Sequence, residues 1–149
     1  MSLAAKVAVR EDTLQDLDAE RRILERLAHP NIVRAFGFIA SRHHAALLLE
    51  LAQADLLTWL RGPPHFEVLG ASCSGGLRRR WEMLYQLVSA VHFLHENKIL
   101  HLDIKTNNVL VVESQSRTPV VKLADFGLSQ TVPGDKLVVF AKEAFTVNF

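Results

Sequence analysis

The pattern of apolar and polar positions divides the first third of the chain into strands and one helix. Residues 3–10 are rich in valine and alanine, which predicts a buried strand. In residues 12–27 leucine and isoleucine recur at the helical period, so an amphipathic helix is expected there, capped by Asp12 or Thr13. The position before Pro30 disfavours further helix. Residues 32–39 and 45–51 then predict two strands with a short polar connection.

A longer helical pattern and a β-hairpin follow in the rest of the chain. Residues 54–61 predict a short helix that Gly62 ends, and the residues from there to Gly76 predict a surface loop rich in Gly, Ser and Pro. Residues 77–97 predict the longest helix, with an apolar stripe expected to pack in the core: Trp81, Leu84, Leu87, Val88, Val91 and Leu94. A short strand is expected at 99–102 and a hairpin of 109–112 with 120–123. The residues after Gly127 are expected to be irregular.

This order of elements predicts an α+β chain in which a small β-rich part packs on a helical part. The boundary is expected near residues 52–54, where a strand gives way to a helix. The chain has 149 residues, of which 49% are hydrophobic and 22% charged, as in an ordinary globular domain with a core of its own.

Charge, hydropathy and cysteine content limit the classes of partner. A formal net charge of +1 provides no basic footprint, so no nucleic-acid partner is expected. No apolar run has the length of a membrane span, so no membrane partner is expected either. Cys73 is the only cysteine, which predicts a reducing compartment, the cytoplasm in the first place and the nucleus as the alternative.

Two segments carry polar side chains at spacings that point to chemistry. Residues 101–108 read H-x-D-x-K-x-x-N, and residues 125–127 read D-F-G. Together they provide a carboxylate, a lysine and two oxygen ligands for a hard cation within one strand-loop-strand region. Phosphoryl transfer needs such groups, because positioning and charge neutralisation supply most of its rate. The alternative interpretation is that His101 is a histidine of the core and that the other residues of the two segments only form turns. The order of the two motifs and the β-rich stretch between them argue against it.

On these two segments the chain resembles the eukaryotic protein kinase family, of the serine/threonine type. The resemblance implies a bilobal protein-kinase-like fold truncated at both ends. Residues 1–52 would be a remnant of the small lobe with its helix C, and residues 53–149 part of the large lobe with the catalytic loop, D-F-G and the activation segment. The implied function is transfer of the γ-phosphoryl group of ATP, with Mg²⁺, to a hydroxyl of a protein substrate.

The resemblance also assigns roles to individual residues. Asp103 is expected to take the proton of the attacking hydroxyl, Lys105 to neutralise charge on the transferred group, and Thr146 to bridge these two. Mg²⁺ is expected to bind Asn108 and Asp125. The remaining expected contacts are with ATP. Lys6 and Glu20 are expected to form the pair near the phosphates, and the backbone groups of Glu50 and Ala52 to contact the adenine edge. Asp55 is expected to contact the ribose, and Leu110 to lie below the adenine ring.

The cation that pairs with Glu20 has two candidates. Lys6 precedes Glu20 by fourteen residues and Arg10 precedes it by ten. The longer spacing leaves room for the end of a strand and two helical turns, which favours Lys6. If Arg10 were the counterpart, the site would be compromised, because a planar guanidinium does not replace a lysine ammonium.

Departures from the family pattern keep other functions open. Leu102 stands where the family has an arginine that pairs with an activation-loop phosphate. The resulting motif resembles that of Mos-like or tyrosine-kinase-like members of the family. An intact parent protein is therefore expected not to need phosphorylation of its activation loop. No glycine-rich loop and no A-P-E segment are recognisable, so the long helix is expected to be partly uncovered and a folding or regulatory protein partner is expected. The alternatives are a catalytically inactive, kinase-derived fragment that acts through binding, and a small-molecule phosphotransferase of similar fold. Lys105, D-F-G and Thr146 argue against the second.

Overall fold

A computed structural model describes residues 2–42, 44–62, 74–112 and 119–132. The elements are β1 (Leu3–Ala8), α1 (Glu11–Leu24), β2 (Ala35–Ala40), β3 (Ala45–Glu50), β4 (Ala54–Asp55), α2 (Leu56–Arg61), α3 (Ser74–Glu96), β5 (Ile99–Leu100), a 3-10 turn (Thr106–Asn108), β6 (Val109–Val112), β7 (Val120–Leu123) and β8 (Gln130–Thr131). The α+β class is confirmed. Thr146, Cys73 and most of the predicted loop before Gly76 lie outside the described residues. Within the described ranges, no helix is both long and apolar enough to cross a membrane.

Three small sheets organise the described strands. The first has the order β1-β3-β2 and is antiparallel throughout, with Lys6 opposite Leu47. The second has the order β4-β6-β7, and its β6–β7 hairpin has the predicted bounds. The third pairs β5 with β8, so the stretch after Gly127 is not irregular throughout as expected. A two-residue strand is too short to show a period, and its partner lies about thirty residues earlier in the chain.

Two expectations about the first strand and helix are wrong. β1 is largely exposed, with Val7 57% and Val9 beyond it 62% accessible, because it is the edge of the described sheet and only Ala8 faces the core. Neither Asp12 nor Thr13 is the N-cap of α1. Arg10 occupies that position, and the Thr13 hydroxyl accepts a hydrogen bond from the Arg10 N–H at 3.3 Å and donates one to the Arg10 carbonyl at 2.8 Å.

The apolar stripe of α3 is divided between core and surface. Leu94 is buried, and Leu87 and Val91 pack against the core. The other members of the stripe are exposed: Trp81 by 62%, Leu84 by 47% and Val88 by 55%. The packed face also contains two residues outside the predicted stripe, Met83 and Ala90. The helix lies against β5 and β7, so these neighbours select which side of a broad apolar surface is covered. The predicted stripe is thus only partly covered by the described residues.

The turn after α1 is attached to both the hairpin and α3. Backbone bonds join the Leu123 N–H to the Asn31 carbonyl at 2.8 Å and the Val33 N–H to the Leu123 carbonyl at 2.9 Å. The Asn31 amide donates to the Val121 carbonyl and to Gln86 Oε1, both at 2.9 Å. These bonds hold the end of α1 at a defined distance from the D-F-G segment that follows β7.

Candidate active site

The loop between β5 and β6 is held in shape by its own polar groups. The buried His101 donates from Nε2 to the Ala124 carbonyl at 3.0 Å, and its Nδ1 accepts the Asp103 N–H at 3.3 Å. Since a carbonyl only accepts and an amide N–H only donates, the ring is neutral with its proton on Nε2. Between His101 and Asp103, Leu102 adopts a left-handed φ of 64°. This conformation costs a leucine about 1–2 kcal/mol, which the bonds on either side must offset.

Asp103 lies at the centre of this loop. Its Oδ2 accepts hydrogen bonds from Lys105 Nζ at 2.7 Å and from Asn108 Nδ2 at 2.8 Å. Asn108 Nδ2 also donates to the Asp103 carbonyl at 2.9 Å. The other carboxylate oxygen, Oδ1, accepts no hydrogen bond from the described residues, and the side chain is 25% exposed. One oxygen is therefore fixed, and the other is available as a proton acceptor.

A second group of charges joins β1, α1 and the D-F-G segment. Lys6 Nζ lies 2.7 Å from Glu20 Oε2 and 2.7 Å from Asp125 Oδ1. Glu20 is 2% exposed, and its Oε1 accepts the Phe126 N–H at 3.1 Å. Of the two candidate cations it is Lys6 that contacts Glu20, while Arg10 is the N-cap of α1. One buried carboxylate thus holds both the lysine and the backbone of the D-F-G segment.

Lys6 and Asp125 keep each other charged. Burial works against the Lys6 ammonium, but its hydrogen bonds to Asp125 and Glu20 and their charges outweigh it and raise the pKa of Lys6. Burial likewise works against the Asp125 carboxylate, but the Lys6 hydrogen bond and charge, with a bond from the Gly127 N–H, lower its pKa. Asp125 has a left-handed φ of 61°, and its side chain remains 45% exposed.

The two sequence motifs meet through Phe126. This side chain is 1% exposed, and its ring packs edge-on against His101 with the centroids 4.8 Å apart. The Ala124 N–H donates to the Asn108 carbonyl at 2.8 Å, so the residue before Asp125 is bonded directly to the catalytic-type loop. The structure therefore brings Asp103, Asn108 and Asp125 into one region.

The donor atoms of Asn108 and Asp125 fit Mg²⁺. Both Nδ2 hydrogens of Asn108 are used by Asp103, which leaves its amide oxygen Oδ1 for a cation. Asp125 uses Oδ1 toward Lys6 and has Oδ2 as a further ligand. Mg²⁺ is a hard cation that proteins hold through one or two carboxylates together with substrate phosphates. In the part of the chain that the structure describes, no group of three or more His, Cys, Asp and Glu side chains is placed to hold a metal ion.

The predicted adenine contacts lie where β3 meets the second sheet. The Glu50 N–H donates to the Arg34 carbonyl at 2.9 Å, and Glu50 Oε2 accepts the Arg34 N–H at 3.4 Å and forms an ion pair with Lys122 Nζ at 3.0 Å. Ala52 follows two residues later. The next residue, Gln53, donates its N–H to the Val111 carbonyl at 3.1 Å, which attaches this segment to β6. Leu110 on β6 is half-buried and lies in register with Asp55 on β4.

Asp55 has a structural role that the sequence analysis did not predict. It is the N-cap of α2: Oδ1 accepts the Thr58 N–H at 3.0 Å and Oδ2 accepts the Thr58 hydroxyl at 2.6 Å. These bonds lower the pKa of the carboxyl group. The spacing D-x-x-T before an apolar run is a recognisable capping signal. A ribose contact by Asp55 stays a prediction, and it would compete with the cap.

Two residues that hold the site together were missed. Gln86 Oε1 accepts the Val121 N–H at 2.9 Å in addition to the Asn31 amide, so a side chain of α3 serves as a partner for the outer edge of β7. Lys122 Nζ donates to the Pro30 carbonyl at 2.8 Å and forms an ion pair with Glu50, and so connects the two. A single glutamine on a helix or a lysine in a strand carries no sequence signal, since its importance depends on distant neighbours.

The protein kinase domain family matches residues 2–149, and the chain belongs to this family. It is 34% identical to the serine/threonine-protein kinase DCLK2 of Rattus norvegicus over 118 residues, 79% of this chain and 14% of that protein. Against DCLK1 of the same species the identity is 36% over 115 residues, 77% of this chain and 25% of that protein. Death-associated protein kinase 2 of Mus musculus is 28% identical over 118 residues, 79% of this chain and 30% of that protein.

These comparisons confirm the predicted family and its kinase-like α+β fold. DCLK1 and DCLK2 are serine/threonine-protein kinases, in agreement with the type that the sequence resembles. The chain spans less than a third of the length of each of these relatives, between 14% and 30%.

The buried neutral histidine predicts a stability that falls in acid. Burial lowers the pKa of His101 below its ordinary value of 6.5, and its bond to Ala124 and the nearby carboxylates only partly oppose this. Well above pH 6.5 the ring is neutral in the folded and the unfolded chain alike, so this histidine adds no pH dependence to the free energy of unfolding there. Below it the unfolded chain takes up the proton first, and the free energy of unfolding is expected to decrease toward the lower, folded-state pKa. Urea unfolding between pH 7 and about 5.5 measures this slope.

His29 must be included in the same experiment. Burial and the charge of Lys122 lower its pKa too. We expect His101→Gln to reduce the slope and His29→Gln/His101→Gln to flatten it, whereas the exposed His95→Gln should leave it unchanged. An undiminished slope in the double variant would contradict this assignment.

Proposed function

We propose that this chain is the catalytic part of a protein serine/threonine kinase, which transfers the γ-phosphoryl group of ATP to a hydroxyl of a protein substrate. The observation that carries the proposal is the buried Glu20, which holds Lys6 and the Phe126 N–H at the same time. A buried carboxylate with two such partners positions a cation beside Asp125 without leaving its own charge unmatched.

The residues of the catalytic-type loop would handle the proton and the charge. Asp103 would accept the proton of the attacking hydroxyl through Oδ1, because Oδ2 is occupied by Lys105 and Asn108. Lys105 would neutralise charge on the transferred group, and Thr146 would bridge it to Asp103. When bound, ATP would supply the phosphoryl group and Mg²⁺ would neutralise its charge. Asn108 and Asp125 would hold the metal.

The remaining contacts would position the nucleotide. Lys6 would bind phosphate oxygens while Glu20 holds it. The backbone groups of Glu50 and Ala52 would meet the adenine edge, with Leu110 below the ring. We further propose that residues 1–52 form a remnant of the small lobe and residues 53–149 part of the large one.

A second candidate function is protein binding without catalysis. It is favoured by the apolar surface on α3, where Trp81 is 62%, Tyr85 76% and Val88 55% exposed. Contiguous exposed apolar side chains of this kind mark protein contact surfaces. This candidate differs from the first in leaving Asp103 without a chemical role.

Thermal unfolding with and without Mg·ATP tests the nucleotide part of the proposal. At about a hundred times its Kd, the ligand is expected to add about 2.7 kcal/mol to the free energy of unfolding. Asp125→Ala removes the metal ligand and should abolish this increment. Asp16→Ala, an exposed aspartate on α1, is the matched control and should keep it. No response in the unchanged chain, or an equal response in Asp125→Ala, would reject the proposed metal site.

A further inference from the structure

A cavity of about 810 Å³ is formed by the turn after α1, the start of β2 and the ends of β3 and β7. Its walls are largely apolar, and its charged lining residues are Glu25, Arg34, Glu50 and Lys122. It adjoins the candidate active site at Glu50, the predicted adenine contact, whereas the proton-transfer and metal-binding candidates Asp103, Asn108 and Asp125 do not line it. We call this cavity the Arg34 groove.

Most charges in the Arg34 groove already have partners. Glu25 accepts two hydrogen bonds from Arg21, at 2.8 and 2.7 Å. Lys122 and Glu50 pair at 3.0 Å. Arg34 differs from these, because none of the carboxylates of the described residues forms an ion pair with its guanidinium group. The groove therefore has one unmatched positive charge.

The unmatched charge lies beside an aromatic wall. The guanidinium carbon of Arg34 is 5.1 Å from the centroid of the Phe36 ring. Stacking on a ring restrains the planar group and leaves its N–H donors at the plane edge, where they can form paired hydrogen bonds with a carboxylate. Leu27 and Ile32 continue the apolar lining. The site thus combines a bidentate anion donor with an apolar surface.

We propose that the Arg34 groove binds a small amphiphilic carboxylate, an organic molecule with an apolar body and one carboxylate group. The body would lie against Leu27, Ile32 and Phe36, and the carboxylate would accept hydrogen bonds from Arg34. The volume of about 810 Å³ lies within the range of pockets that enclose small organic ligands, roughly 300–1,000 Å³, which favours such a molecule over a protein segment. The proposal requires none of the residues proposed for proton transfer or metal binding.

Binding of two matched probes tests the charge requirement. 4-Phenylbutyrate carries an apolar body and a carboxylate, and 4-phenyl-1-butanol is its uncharged counterpart. Both are titrated into the ¹⁵N-labelled full chain, and the amide shifts give the affinity and the location. We expect 4-phenylbutyrate to bind more tightly than the alcohol, by about tenfold for one charge-assisted contact. The shifts should fall on residues 27–36 and not on the exposed face of α3.

Three variants separate charge from shape. Arg34→Gln is expected to weaken 4-phenylbutyrate about tenfold and to leave the alcohol unchanged. Arg42→Gln removes an equal charge from an exposed position outside the groove and should change neither affinity. Ala28→Trp fills the groove and should abolish binding of both probes. Absence of binding, equal affinities of the two probes, or full binding by Arg34→Gln would overturn the proposal.

Discussion

Phosphoryl transfer is expected to fall about 10²–10⁴-fold when Asp103 is replaced by asparagine, the usual contribution of a positioned general base. An amide cannot take the proton of the attacking hydroxyl. It keeps an oxygen that can accept from Lys105 and Asn108, so the loop should retain its shape. Transfer of radiolabelled phosphate from ATP to a generic protein substrate measures the effect, and the Mg·ATP response in thermal unfolding should be unchanged.

Asp16→Asn is the matched control for this substitution. Asp16 is exposed on α1, and the same chemical change there should leave the transfer rate unaltered. If the unchanged chain transfers no more phosphate than Asp103→Asn, the catalytic proposal fails and the binding candidate is favoured. If both are active, the phosphate transfer does not depend on the proposed base.

Glu20→Ala is expected to lower the free energy of unfolding by about 2–4 kcal/mol. The substitution leaves the buried Phe126 N–H without an acceptor, which costs about 1–3 kcal/mol. It also removes one partner of the Lys6 pair, and losing one member of a fully buried pair costs about 3–5 kcal/mol. The effect should be smaller here because Lys6 is 42% exposed and regains contact with water. Urea unfolding gives the difference.

Two further glutamate variants separate the causes. Glu20→Gln keeps an acceptor for Phe126 but loses the charge, so it should destabilise less than Glu20→Ala. Glu25→Ala changes an exposed glutamate of the same helical segment, 53% accessible, and should cost less than about 1 kcal/mol. Equal losses in Glu20→Ala and Glu25→Ala would contradict a central role for the buried carboxylate.

Local spacing was sufficient for most of the elements and for one part of the site. The β6–β7 hairpin has the bounds that its alternating pattern predicts. Asp103, Lys105 and Asn108 lie within six residues, so their mutual contacts follow from one short loop. The fourteen-residue spacing also selected Lys6 rather than Arg10 as the partner of Glu20, since helix rise limits where an ion pair can form.

Burial was harder to predict than the elements themselves. Periodicity identifies an apolar surface on α3 but not which part of it another element covers, and for this reason Trp81 and Val88 were wrongly assigned to the core. β1 has the composition of a buried strand, yet its burial depends on how many neighbours its sheet has. The hydrogen bond that attaches Gln86 to β7 has no counterpart in local pattern at all.

By itself, the sequence determined the family, the order of most helices and strands, and the grouping of charges in residues 101–108, because these depend on residues close together in the chain. Only the tertiary structure decided that Glu20 is shared by Lys6 and Phe126, the latter 106 residues away, and that the Arg34 guanidinium group forms no ion pair with the described residues. Such contacts follow from sheet register and from the packing of α1 against distant segments. No local spacing of residue types encodes these distances.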